Sequence, residues 1–124
     1  MQINIKTIPH KKQAYETVGN WQFKRKGIDI QVSDTKNDDY AFLIGLHEAI
    51  EAYLCRQRGI IEEEVTDFDK SFKGKGEPGD DNLAPYHSEH LFATYIEELL
   101  ADELDVNWRE YEKTLNELPW KTKQ

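Results

Sequence analysis

The chain has 124 residues, 38% hydrophobic, 32% charged and 11% aromatic, which excludes a disordered tail or a coiled coil and suits one compact domain over residues 1–124. Its net charge of −8 sits in the second half: residues 61–124 carry 17 acidic and 7 basic side chains, against 7 and 9 in residues 1–60. Such acidity repels phosphate backbones and argues against nucleic-acid binding outside the small basic patch at Lys24, Arg25 and Lys26.

The lone Cys55 cannot form an internal disulfide and reads as a small core hydrophobe. No apolar run reaches the ~18 residues of a membrane span, and no export signal opens the chain, so the expected compartment is the cytoplasm, or a virion assembled there.

In chain order, residues 1–35 read as β. In residues 2–8, Ile3 and Ile5 alternate with polar residues, the period of a half-buried strand, and the run stops at Pro9. Trp21 to Phe23 and Ile28 to Val32 repeat the pattern around a turn containing Gly27, which predicts a small antiparallel sheet of about three strands. Helical spacing takes over near residue 39, where Asp38 and Asp39 are candidate caps, and continues to Gly59 through Tyr40, Leu43, His47, Ile50, Glu51 and Leu54. A short acidic helix is expected over Glu62 to Phe72, and a glycine-rich loop over Lys73 to Asn82. Pro85 opens a second long helix whose apolar face is read as Leu91, Phe92, Tyr95, Ile96, Leu99, Leu100 and Leu104. A last helix starts at Asn107, which with Glu110 could form a capping box, carries Trp108, Tyr111, Leu115 and Leu118 along one apolar side, and stops at Pro119. The fold class is therefore α+β, with three to four helices over residues 39–118 following the sheet.

The informative stretch is His47-Glu48-Ala49-Ile50-Glu51. Four residues apart, His47 and Glu51 leave the helix on one face, and that face is the one expected to pack inward. A buried unpaired carboxylate costs several kcal/mol, and a metal ion satisfies both side chains at once. The second long helix offers further donors: His90 is favoured as third ligand from its place on the flank of the apolar face, with Glu97 as a substitute or as a partner that supports a ligand, and His87 as another substitute. Two imidazoles and a carboxylate suit zinc with a position left for water, or iron or manganese. Glu48 then stands where a general base would activate that water for hydrolysis of an amide or similar bond in a small or peptide substrate. The structural alternative has His47 bonded to a tyrosine or backbone carbonyl and Glu51 paired with Arg56 or Lys70.

The order of strand, hairpin, His-Glu-x-x-Glu helix, loop and ligand-bearing helix resembles a reduced zincin-type metallopeptidase. Residues 47–55 (HEAIEAYLC) and 84–90 (APYHSEH) also resemble small uncharacterised proteins of phages and prophages. The resemblance spans residues 20–105 and implies a zincin-like fold, with His47 and Glu51 as metal ligands and Glu48 as general base. Glutamate at the fifth motif position departs from the usual histidine, which leaves room for a metal-binding relative without catalysis.

Two other readings compete. Glu48, Glu51, Glu64 and Asp67 have a spacing that resembles the Mg²⁺ site of the all-helical nucleotide pyrophosphohydrolases, although a β-rich start does not suit that fold. The other is a non-catalytic phage accessory or interaction protein, its acidic second half meeting a basic partner and His47 and Glu51 merely structural.

Overall fold

The computed structural model describes residues 1–120, as an α+β arrangement of a three-stranded sheet followed by four α-helices. The strands are β1 (Gln2–Ile8), β2 (Gly19–Lys24) and β3 (Gly27–Ser33); the helices are α1 (Asp38–Gln57), α2 (Glu62–Ser71), α3 (His87–Glu103) and α4 (Trp108–Asn116). Among the described residues no helix is long and apolar enough to cross a membrane.

The expectation of an antiparallel sheet holds only for the β2–β3 hairpin. The strand order is β1-β3-β2, and β1 pairs parallel to β3, from Gln2 opposite Gly27 to Ile8 opposite Ser33. The physical reason lies in residues 9–18, which cross over the end of β3 rather than turning back beside β1. Buried polar side chains pin that crossing: His10 Nδ1 lies 2.8 Å from Ser33 Oγ, and Gln13 Nε2 donates to the same oxygen at 3.1 Å. Alternation reveals a strand but not the direction of its partner. Nor is β1 half-buried as expected, since Ile3 and Ile5 stay largely exposed on this edge strand.

Helix α1 lies against one face of the sheet, where Ile28, Ile30 and Val32 meet Leu43, Ile44, Ala52 and Cys55 in the core. Its cap is Asn37, one residue before the expected aspartates, and the Asn37 side chain accepts from the Tyr40 amide at 3.1 Å. Asn107 caps α4 in the same way through the Glu110 amide, as its sequence position suggests.

Helix α3 departs most from expectation, for only Leu100 and Leu104 of the stripe taken as its buried face pack against the core, while most of the rest points outward. Phe92, Tyr95 and Leu99 are 50%, 67% and 64% exposed, whereas Glu89, His90, Ala93, Glu97 and Ala101 are buried. Alanine at 93 and 101 lets α3 approach α1 closely, and His90 and Glu97 reach partners on α1. Turned the other way, α3 would bury more apolar surface at about 1.5–3 kcal/mol per large side chain. It would also take Glu97 from the buried His47 and His90 from the buried Glu51, at about 3–5 kcal/mol for each broken pair. The polar requirement decides the helix's rotation.

Truncating the two kinds of leucine should separate them. Leu43→Ala is expected to destabilise the fold by about 2–5 kcal/mol, and Leu99→Ala to stay within about 0.5 kcal/mol of wild type; urea midpoints measure both, and a large loss in Leu99→Ala would contradict the outward orientation.

Candidate metal centre

Three buried side chains converge where α1 faces α3 and the hairpin. His47 Nε2 is 3.1 Å from Glu51 Oε2, and His90 Nδ1 approaches the same oxygen at 3.0 Å. The second oxygen, Oε1, accepts from Trp21 Nε1 at 3.0 Å, so β2 fixes the carboxylate from its other side. The structure thus gathers His47, Glu51 and His90 into one donor set, their ligand atoms all within 4.8 Å of one another. Ligands at tetrahedral angles around zinc would stand about 3.4 Å apart, so the two histidine contacts to Glu51 need only slight expansion to fit an ion of that size.

Each imidazole presses its remaining nitrogen on a second carboxylate. His47 Nδ1 lies 2.7 Å from Glu97 Oε1, and Tyr111 donates to Glu97 Oε2 at 2.6 Å. His90 Nε2 lies 3.0 Å from Asp80 Oδ1 and 3.2 Å from Glu77 Oε2. The glycine-rich loop supplies those last two groups, and Gly79 between them is required by contact: a Cβ there would collide with the His90 ring. His87 stands apart, its Nδ1 on the Gly79 carbonyl at 2.9 Å, and Glu97 is a holder of His47 rather than a substitute ligand.

Glu48, one residue along α1, has a carboxylate oxygen 3.9 Å from His47 Nε2. It packs against Gly19 of β2, where a Cβ would come within 2.7 Å of its Cγ, so this glycine makes room for the side chain. Glu48 also borders a cavity of about 520 Å³ lined by His47, Glu51 and His90 on one side and by Tyr15, Glu62 and Asp69 on another.

Burial disfavours every charge here, and the contacts reverse it selectively. On His47 the lowering by burial is overcome by the Glu51 and Glu97 hydrogen bonds, which hold the imidazole well above its ordinary value. On His90 burial is likewise outweighed by Glu51 and Glu77, and its value is pushed up to about 10. Burial raises Glu51, but the His47 and His90 hydrogen bonds win and bring it down to about 2. For Glu48, burial and the neighbouring Glu51 charge both act upward, well above the usual carboxylate range. Without metal, then, two imidazolium ions clamp one carboxylate. Protons occupy the inward nitrogens where a divalent cation would draw on lone pairs, so metal must enter by displacing them.

The rival carboxylate set is not brought together. Glu64 and Asp67 are exposed on α2, and Glu64 reaches back toward the Ile61 amide at its own helix start. The cavity-facing acids of α2 are Glu62, which accepts from the Phe23 amide at 2.8 Å, and Asp69. Asp69 accepts from Tyr15 at 2.7 Å and from Tyr86, tying α2 across the cavity. Neither Arg56 nor Lys70 is the partner of Glu51, whose hydrogen bonds come from Trp21, His47 and His90. Cys55 is buried beside α1's other core residues, its thiol pushed up by burial, in keeping with a structural role.

Trp21, Asp80, Glu77 and Tyr111 escaped the sequence reading. Trp21 and Tyr111 left a signal, as a strand residue and as an apolar-face position on α4, but that signal concerned packing rather than the indole N–H or the hydroxyl. Compared with protein-family models, curated proteins and solved structures, the chain finds no match.

The cluster sets a pH window for the metal-free protein. His90, raised from 6.5 to about 10, contributes stability that is complete below pH 6.5 and is lost as pH rises through about 10. Glu51, lowered from 4.5 to about 2, contributes stability that is complete above pH 4.5 and is lost as pH falls through about 2. Urea unfolding of chelator-treated protein should therefore give higher stability at pH 5.5 than at 10.5, with the difference much reduced in His90→Ala; equal differences in both proteins would contradict the assignment.

Proposed function

We propose that this chain binds one divalent metal ion, zinc in preference to iron or manganese, through His47 Nε2, Glu51 and His90 Nδ1, and acts as a metal-dependent hydrolase of an amide or similar bond. The observation that carries the reading is the convergence of two buried imidazole nitrogens on one buried carboxylate oxygen at 3.0–3.1 Å, beside a cavity of about 520 Å³. A core histidine serving only the fold needs one partner for each ring N–H; two histidines sharing one carboxylate, each backed by another carboxylate, is the arrangement expected of a cation site.

A bound ion would supply Lewis acidity and would lower the proton affinity of its surroundings. The protein's own contribution is positional. Glu51 is aimed by Trp21, His47 by Glu97, and His90 by Asp80 and Glu77. Glu48, whose carboxyl is raised by burial, borders the cavity 3.9 Å from His47 Nε2 and is placed to take a proton from an attacking water. This is the division of labour of a zincin-type metallopeptidase, with glutamate in place of the second motif histidine.

Elemental analysis of untagged protein tests the binding half. Near-stoichiometric metal is expected in wild type and none in His47→Ala, and zinc at 100 times its Kd should stabilise wild type by about 2.7 kcal/mol. The catalytic half is tested by Glu48→Gln, which should keep the metal and lower turnover by about 10²–10⁴. Loss of metal and turnover together would make Glu48 a ligand or packing residue. No metal in either wild type or His47→Ala, with no stabilisation by zinc, would favour a non-catalytic interaction protein.

A further inference from the structure

We propose that Glu97 and Tyr111 are a positioning pair that fixes the ring orientation and tautomer of His47, making α4 part of the metal centre; the proposal rests on the reading that His47, Glu51 and His90 hold a divalent ion. Glu97 lies two turns beyond His90 on α3, too far to share its ion, yet it meets the opposite nitrogen of His47 at 2.7 Å. Both its oxygens are engaged: Oε1 accepts from His47 Nδ1–H, and Oε2 accepts from the Tyr111 hydroxyl at 2.6 Å. The consequence is directional. Once a metal displaces the Nε2 proton, the proton held on Nδ1 by Glu97 would leave the Nε2 lone pair facing the ion beside Glu51 and His90; without that acceptor the remaining proton could sit on Nε2 and leave no lone pair for a metal.

Packing alone does not explain the hydroxyl of Tyr111. The ring is already held by Tyr40 of α1, with centroids 4.9 Å apart, and by Trp108 of its own helix at 5.2 Å. Phenylalanine would fill that space as well. The residue is 1% exposed, so its hydroxyl has given up water for one acceptor, Glu97. A carboxylate held in place by a buried donor raises the basicity of the imidazole it binds and keeps the ring from rotating. The carboxylates on His90 differ in kind: Asp80 and Glu77 have side chains 57% and 58% exposed, so water screens and competes with them. The inner pair therefore governs affinity more than the outer one.

The test uses the full chain and zinc, with affinity measured by competition against a chromophoric chelator in wild type, Glu97→Gln, Tyr111→Phe and Asp80→Asn. Glu97→Gln keeps the shape and an acceptor but removes the charge, and should weaken zinc binding about 10–100-fold. Tyr111→Phe should weaken it by a smaller factor, with the d–d absorption of the cobalt-substituted protein altered. Asp80→Asn, which removes the same charge from the outer side, should cost less affinity than Glu97→Gln. Zinc affinity within twofold of wild type in both Glu97→Gln and Tyr111→Phe, whatever their melting temperatures, overturns the pair's role while leaving the metal reading intact. A loss in Asp80→Asn equal to that in Glu97→Gln also overturns it, since general charge removal would then suffice. A wild-type chain that binds no zinc overturns the metal reading and this proposal with it.

Discussion

A carboxylate held ionised at 4% exposure, Glu51, is the constraint on which the rest of this structure depends. Taken from water alone, such a group costs several kcal/mol, comparable to the whole net stability of a small domain. Three elements converge to compensate it: β2 with the Trp21 indole, α1 with His47 and α3 with His90. The two histidines then need acceptors of their own. Glu97 with Tyr111, and the loop carrying Glu77 and Asp80, follow from that need. The path from one acid on α1 to the docking of α4 is thus a chain of hydrogen bonds in which each member is justified by its neighbour.

The same requirement explains how α3 is turned. Its outward Phe92, Tyr95 and Leu99 would be poor choices for a helix whose only task is to cover a core. Its inward His90 and Glu97 would be poorer still. The helix carries two faces with opposite tasks, and electrostatic necessity at the centre outweighs the area that the aromatic stripe could have buried. Alanine at 93 and 101 makes the compromise sterically possible by letting polar side chains, rather than large apolar ones, span the gap to α1.

Much of this was legible in the sequence, and the limits have physical causes. Helix starts could be read because Asn107 and the residues before Tyr40 satisfy free amides locally, without reference to the rest of the chain. His47 and Glu51 could be assigned to one inward face because spacing of four on a helix is itself a geometric fact. His90 emerged as partner because it sits on the flank of its helix rather than opposite the apolar stripe. The apolar stripe itself misled, since periodicity tells which residues share a face but not which of two faces a polar site has claimed. Parallel pairing of β1 with β3 was invisible because it is imposed by His10 and Gln13 reaching Ser33, contacts 23 and 20 residues apart in sequence. Trp21 and Tyr111 read as core aromatics and are so; that each also donates to a buried glutamate 30 or 14 residues away leaves no trace in local pattern.

The central claim is that one ion is held by two imidazoles and a carboxylate, and zinc K-edge X-ray absorption on the metal-loaded chain measures that shell directly. The account predicts two imidazole nitrogens at about 2.0–2.1 Å with oxygen completing the shell, and one imidazole fewer in His90→Ala but not in His87→Ala. An oxygen-only shell, a sulfur neighbour from Cys55, or an imidazole lost in His87→Ala instead would contradict it.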